Sequence, residues 1–98
     1  MNNLKLIITD EAFNDVDRIA DFIAQYNPRA ARETVEFLFG ACNNLLKFPN
    51  LGLTKERIKS KDVKIYIALQ YLIAYRICDN AIIILKISNC YQDIYPNL

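Results

Sequence analysis

The chain has 98 residues, 53% of them hydrophobic, with only two glycines and three prolines. That is enough apolar material for one core and too little chain for a separate catalytic lobe, so a single domain over residues 1–98 is expected, with any site on an open surface. The composition excludes a disordered or fibrous protein, and a formal charge of +1 excludes a molecule that acts as a polycation throughout.

Leu4 to Thr9 is short, β-branched and bounded by polar residues, which predicts a buried strand. Asp10 is the expected N-cap of the helix that follows, with Glu11 in the first turn where the dipole favours a carboxylate. Phe13, Val16, Ile19, Ala20 and Ile23 recur at helical spacing and form one stripe. Asn14, Asp15, Asp17, Arg18 and Asp21 are assigned to the wet side, and Phe22 and Tyr26 flank the buried face.

Asn27-Pro28 breaks this helix, because the residue before proline is pushed out of the helical region while Pro28 suits the first position of a new helix. Ala31, Val35, Leu38, Cys42 and Leu45 then step by four, three, four and three, a spacing suited to packing on the first helix. Phe37, Phe39, Ala41 and Leu46 widen the apolar surface. The second helix is therefore expected to lie between the first helix and a sheet.

Phe48-Pro49-Asn50-Leu51-Gly52 supplies a proline stop and a turn glycine. The charge is uneven from here on: five basic and seven acidic side chains precede Asn50, against seven basic and four acidic after it. Lys55, Arg57, Lys59, Lys61 and Lys64 carry most of that excess. They form either a solvated loop or a surface for nucleic acid or an acidic protein.

Val63 to Leu69, Tyr71 to Ile77 and Ala81 to Ile87 are β-rich runs, with Asp79-Asn80 a two-residue hairpin turn. The last run holds Ile82, Ile83, Ile84 and Leu85 in series and should be a central strand buried on both faces. The expected fold is α+β: a strand, a helical hairpin and a three-stranded antiparallel meander, with the helices on one face of the sheet.

Three cysteines without CxxC spacing, in a chain with no histidine, point to neither a metal site nor a disulfide framework, and Cys42 reads as core. No apolar run approaches the roughly 18 residues of a membrane span. Asp10 and Glu11 interrupt the start before a signal-peptide core forms, so a cytoplasmic protein is expected, without membrane association or small-molecule cofactor.

The order of elements and three local phrases resemble the RelE/ParE superfamily of toxins from type II toxin–antitoxin systems, in its ParE-like branch. The phrases are Ile23-Ala24-Gln25-Tyr26-Asn27-Pro28-Arg29-Ala30-Ala31, Leu46-Lys47-Phe48-Pro49-Asn50-Leu51-Gly52 and Tyr71-Leu72-Ile73-Ala74-Tyr75-Arg76-Ile77, which together span nearly the whole domain. The chain departs from the family at Asn89-Cys90-Tyr91-Gln92-Asp93, where members carry a His-Gly-Arg-Arg-Asp-like turn and only the acidic residue is kept.

The resemblance implies a toxin of the growth-arrest and plasmid-stabilisation kind that binds and inhibits DNA gyrase without catalysis and is neutralised by a cognate antitoxin. Apolar residues on several faces fit such a partner, and Phe22, Phe37, Phe39, Arg76, Tyr91 and Tyr95 are the candidate contacts. The alternative is a RelE-like nuclease cutting messenger RNA on the ribosome. Its acid–base and cationic roles would fall to Arg76, Lys86, Lys64 and Tyr95, with Tyr91 a further candidate, none of which has an ordinary pKa near neutrality. A relic that only binds antitoxin is a third reading. Arg76 itself presents a fork for phosphate or carboxylate, or else pairs with an acid such as Asp93.

Overall fold

A computed structural model describes residues 4–92, 94, 95 and 98. Its elements are β1 (Lys5–Ile8), α1 (Asp10–Ala24), α2 (Pro28–Lys47), β2 (Lys64–Ala68), β3 (Tyr71–Cys78) and β4 (Ala81–Asn89). They build one sheet in the order β1-β4-β3-β2. The antiparallel meander expected from the last three runs is present, and β1 completes it by pairing parallel to β4, so the sheet is mixed. β4 is accordingly an inner strand.

Thr9, not Asp10, caps α1. Its backbone is extended and its hydroxyl accepts the Ala12 N–H at 3.2 Å, while Asp10 and Glu11 occupy the first turn. The same hydroxyl donates to the Ile84 carbonyl at 2.9 Å, and the Thr9 N–H does so at 3.1 Å. One residue thus ends β1, starts α1 and ties the junction to β4. A threonine can both donate and accept through one oxygen, which a carboxylate cannot.

Asn27 caps α2 by accepting the Ala30 N–H at 3.1 Å, with Pro28 in the first helical turn. The two helices then lie side by side on one face of the sheet. α1 packs on α2 and β4, and α2 also reaches β1 and β4, so α2 is not sandwiched beneath α1 as its wide apolar surface suggests. The core of this face joins Ala12 and Val16 of α1, Leu38, Cys42 and Leu45 of α2, and Ile73, Tyr75, Ile82, Ile84 and Ile87 of the sheet. Phe13, counted on the buried stripe from its spacing, is exposed and leans on Phe39, while Ala12 takes the core position.

A second, smaller core covers the other face, where Ile58, Val63, Ile65, Leu72, Ala74 and Ile94 meet. The basic segment before β2 is therefore a flap: Ile58 plugs the sheet while Lys55, Lys59 and Lys61 stay in water. An isolated bridge pairs Leu53 with Ile65 and fixes where the flap begins.

Buried Tyr75 anchors the other end of that connection. Its hydroxyl donates to the Pro49 carbonyl at 2.6 Å and accepts the Gly52 N–H at 2.8 Å. A Cβ at Gly52 would sit 2.6 Å from a ring carbon of Tyr75, so only glycine fits this approach.

The hairpins turn at Leu69-Gln70 and Asp79-Asn80, with φ of 56° at Leu69 and 53° at Asp79. Asp79-Asn80 is the turn expected from residues that tolerate the left-handed region. Leu69, assigned to an alternating strand, is instead a strained turn residue, 73% exposed.

Candidate functional site

β1 stops at Ile8, so the last part of β4 has no strand beside it on that edge, and α1 takes the place. The Ile87 N–H donates to Asp15 Oδ2 at 2.9 Å. Asp15 is only 3% exposed, and its other oxygen takes Lys86 Nζ at 3.3 Å and the Arg18 guanidinium. Lys86 reaches on to Glu11, also at 3.3 Å. A carboxylate placed on the wet side from its neighbours is the polar pin between helix and sheet. Buried charge of this kind persists only when paired and hydrogen-bonded.

Beside this pin runs a groove of about 690 Å³, walled by Ile19, Phe22 and Ile23 of α1 and by Tyr71, Ser88 and Asn89 of the sheet. Phe22 is 64% exposed and meets Tyr26 edge-on, with centroids 5.8 Å apart. A shallower groove of about 520 Å³ lies between α2 and the β2 edge, where Phe37 and Ala41 face Ile67 and Leu69. Both are apolar clefts with polar rims, the shape that accepts a peptide helix or strand.

The residues singled out in the sequence do not converge. Phe22 lines the first groove, Phe37 the second, and Phe39 is half-buried against Phe13 at 5.9 Å. Tyr91 is 86% exposed, and the Tyr95 ring lies 5.0 Å from the Arg57 guanidinium. Lys64 is half-buried on β2. Arg76 and Lys86 both line a small pocket of about 370 Å³. Asp62 stands 3.7 Å from Arg76 Nε, and Asp93, named above as its pairing acid, lies outside the described residues.

Burial pushes the Cys42 thiol from 9.0 up to about 11. It raises Tyr75 as well, against the opposing hydrogen bond from Gly52. Both groups are therefore held protonated at neutral pH and belong to the core. Among the described residues no group of three or more histidine, cysteine or acidic side chains is placed to hold a metal. No helix there is long and apolar enough to cross a membrane.

The family model described as "ParE toxin of type II toxin-antitoxin system, parDE" matches residues 6–94. The chain belongs to the ParE toxin family. No curated protein sequence matches it. Among solved structures, its fold is similar to a chain of the chromosomal ParDE system of P. aeruginosa, with a TM-score of 0.76 and 21% identity over 88% of this chain and 95% of that one. It is also similar to a chain of the RelBE2 toxin–antitoxin complex of Mycobacterium tuberculosis, with a TM-score of 0.62 and 24% identity over 88% of this chain and 96% of that one. A conserved hypothetical protein of Helicobacter pylori, solved in solution, gives a TM-score of 0.55 at 19% identity over 91% of this chain and 97% of that one.

In this ParE-family chain the residues missed in the sequence are Asp15, Tyr75 and Gly52. Asp15 had a signal: it falls three residues after Ala12 and four before Ile19, on the apolar stripe itself. Tyr75 and Gly52 had none, since they are 23 residues apart and meet only through the fold.

Proposed function

We propose that this ParE-family toxin arrests growth by binding DNA gyrase in the cytoplasm, without catalysis, and is silenced by a cognate antitoxin that lies along the groove of α1. The observation that carries this reading is the exposed Phe22 wall beside the open end of β4. An amphipathic partner segment would bury that wall and leave its polar residues for Ser88, Asn89 and Gln92 at the rim. The named complexes of similar fold, ParDE and RelBE2, pair a toxin with an antitoxin.

Of the groups named for the nuclease alternative, Lys86 is engaged by Glu11 and Asp15, and the Tyr95 ring lies against the Arg57 guanidinium. That geometry favours inhibition by binding over phosphodiester cleavage. In a supercoiling assay, purified protein is expected to stop gyrase, and the antitoxin to restore it. Cleavage of ribosome-bound message with gyrase unaffected would reverse the assignment, and antitoxin binding with neither effect would mark a relic.

A further inference from the structure

Residues 54–62 of the flap hold one apolar side chain, Ile58, and it is turned into the second core. Lys55, Lys59 and Lys61 are exposed, and their ammonium groups have no ion pair or hydrogen bond among the described residues. The segment is nevertheless pinned. The Leu53–Ile65 bridge and the Tyr75–Gly52 bond hold its start, and buried Ile58 and Val63 hold it to the sheet. Tight turns join the Ile58 N–H to the Lys55 carbonyl at 3.1 Å and the Val63 N–H to the Ser60 carbonyl at 3.3 Å. A lysine loop that served solubility alone needs no such anchoring, and like charges held on a fixed backbone repel one another until an anion arrives.

Charge is also divided between the two faces of the molecule. On the opposite side of the sheet, α1 exposes Asp10, Glu11, Asp17 and Asp21 against Arg18, so a polyanion is turned away there and met at the flap. Of the carboxylates near the flap, Asp62 is paired with Arg76 and Glu11 with Lys86, which leaves Glu56 to oppose the three lysines.

We infer that the outer surface of this flap binds the sugar–phosphate backbone of double-stranded DNA without reading its sequence. Lys55, Lys59 and Lys61 are the phosphate contacts, with the exposed Thr54 and Ser60 hydroxyls as donors beside them. An acidic peptide finds no apolar side chain to bury against on this surface, because Ile58 faces inward. A single strand finds no aromatic ring within residues 54–62 on which to stack its bases, and the Tyr95 ring is already faced by the Arg57 guanidinium. A duplex needs neither, since compact ammonium groups engage its phosphates one by one. The inference goes beyond gyrase inhibition and neutralisation and stands without either.

The test is fluorescence anisotropy of the full chain with a short labelled DNA duplex over a series of salt concentrations. Two duplexes of unrelated sequence are expected to bind alike, with a log–log salt slope of about −3 for three phosphate contacts. K59Q/K61Q should bind at least about tenfold more weakly and reduce that slope by about two, while R29Q, outside the flap, should leave both unchanged. No binding at low salt, equal losses in K59Q/K61Q and R29Q, or tighter binding of hexaglutamate or a single-stranded RNA of the same length would overturn the inference. Should K59Q/K61Q fail to fold, acetylation of the unaltered chain decides it: the duplex should protect Lys55, Lys59 and Lys61 and leave Lys5 and Lys47 reactive, and uniform protection would overturn it. These measurements contain neither gyrase nor antitoxin, so their outcome is separate from that of the supercoiling assay.

Discussion

Asp15 Oδ2 accepts the Ile87 N–H at 2.9 Å, and this bond joins α1 to β4 where β1 no longer covers the sheet edge. Asp15→Ala would strand that N–H in a buried setting and free Lys86 and Arg18 of their shared acid. A loss of roughly 2–4 kcal/mol is expected by urea denaturation. Asp15→Asn, which keeps an acceptor for Ile87, should lose clearly less; equal losses would mean that the charge, not the amide bond, is what α1 depends on.

Tyr75→Phe removes an acceptor from the Gly52 N–H and a donor from the Pro49 carbonyl while preserving the ring. The expected cost is about 1–3 kcal/mol, or a fall of several degrees in melting temperature for a domain of this size. Gly52→Ala should cost at least as much, because its new methyl would clash with the same ring. A G52A protein as stable as the parent would show that the ring can move aside.

Cys42 sets a window in pH. Its thiol is raised in the fold, so the folded state holds the proton more tightly than the unfolded one. The associated stability is present below about 9 and is lost as pH rises towards about 11. Denaturation midpoints should fall across that range, and less steeply in C42A. Thiol labelling at neutral pH should reach exposed Cys78 first and Cys42 only on unfolding.

Leu69 adopts φ of 56° with its side chain largely in water. Leu69→Asn or Leu69→Gly relieves the left-handed conformation and gives up little burial, so a gain of about 1 kcal/mol is expected from thermal unfolding. A loss instead would place the Leu69 side chain in a contact that holds the β2–β3 turn.

Phe22→Ala removes exposed apolar area from the α1 groove. Its effect on folding stability should stay within about 0.5 kcal/mol. Antitoxin affinity, measured by calorimetry, should drop at least about tenfold if Phe22 is an anchor of that interface. Unchanged affinity would move the antitoxin to another surface, with the Phe37 groove the next to probe.

The local chemistry of this chain was legible without coordinates. Asn27-Pro28 had to divide two helices, Asp79-Asn80 had to turn, and the Ile82–Leu85 run had to be an inner strand. Each follows from backbone preference or apolar period within a few residues. Of these, Asn27-Pro28 also belongs to the phrases that carried the family resemblance, and the match over residues 6–94 agrees with that resemblance. What only the tertiary structure decided were the meetings of distant residues: Asp15 with Ile87, Tyr75 with Gly52, Ile58 with the far face of the sheet, and Arg76 with Asp62. Periodicity tells which way a side chain points relative to its own element, but burial and pairing depend on what the rest of the chain brings to that side. That is why an aspartate flanked by polar residues read as solvent-facing and became the link between helix and sheet.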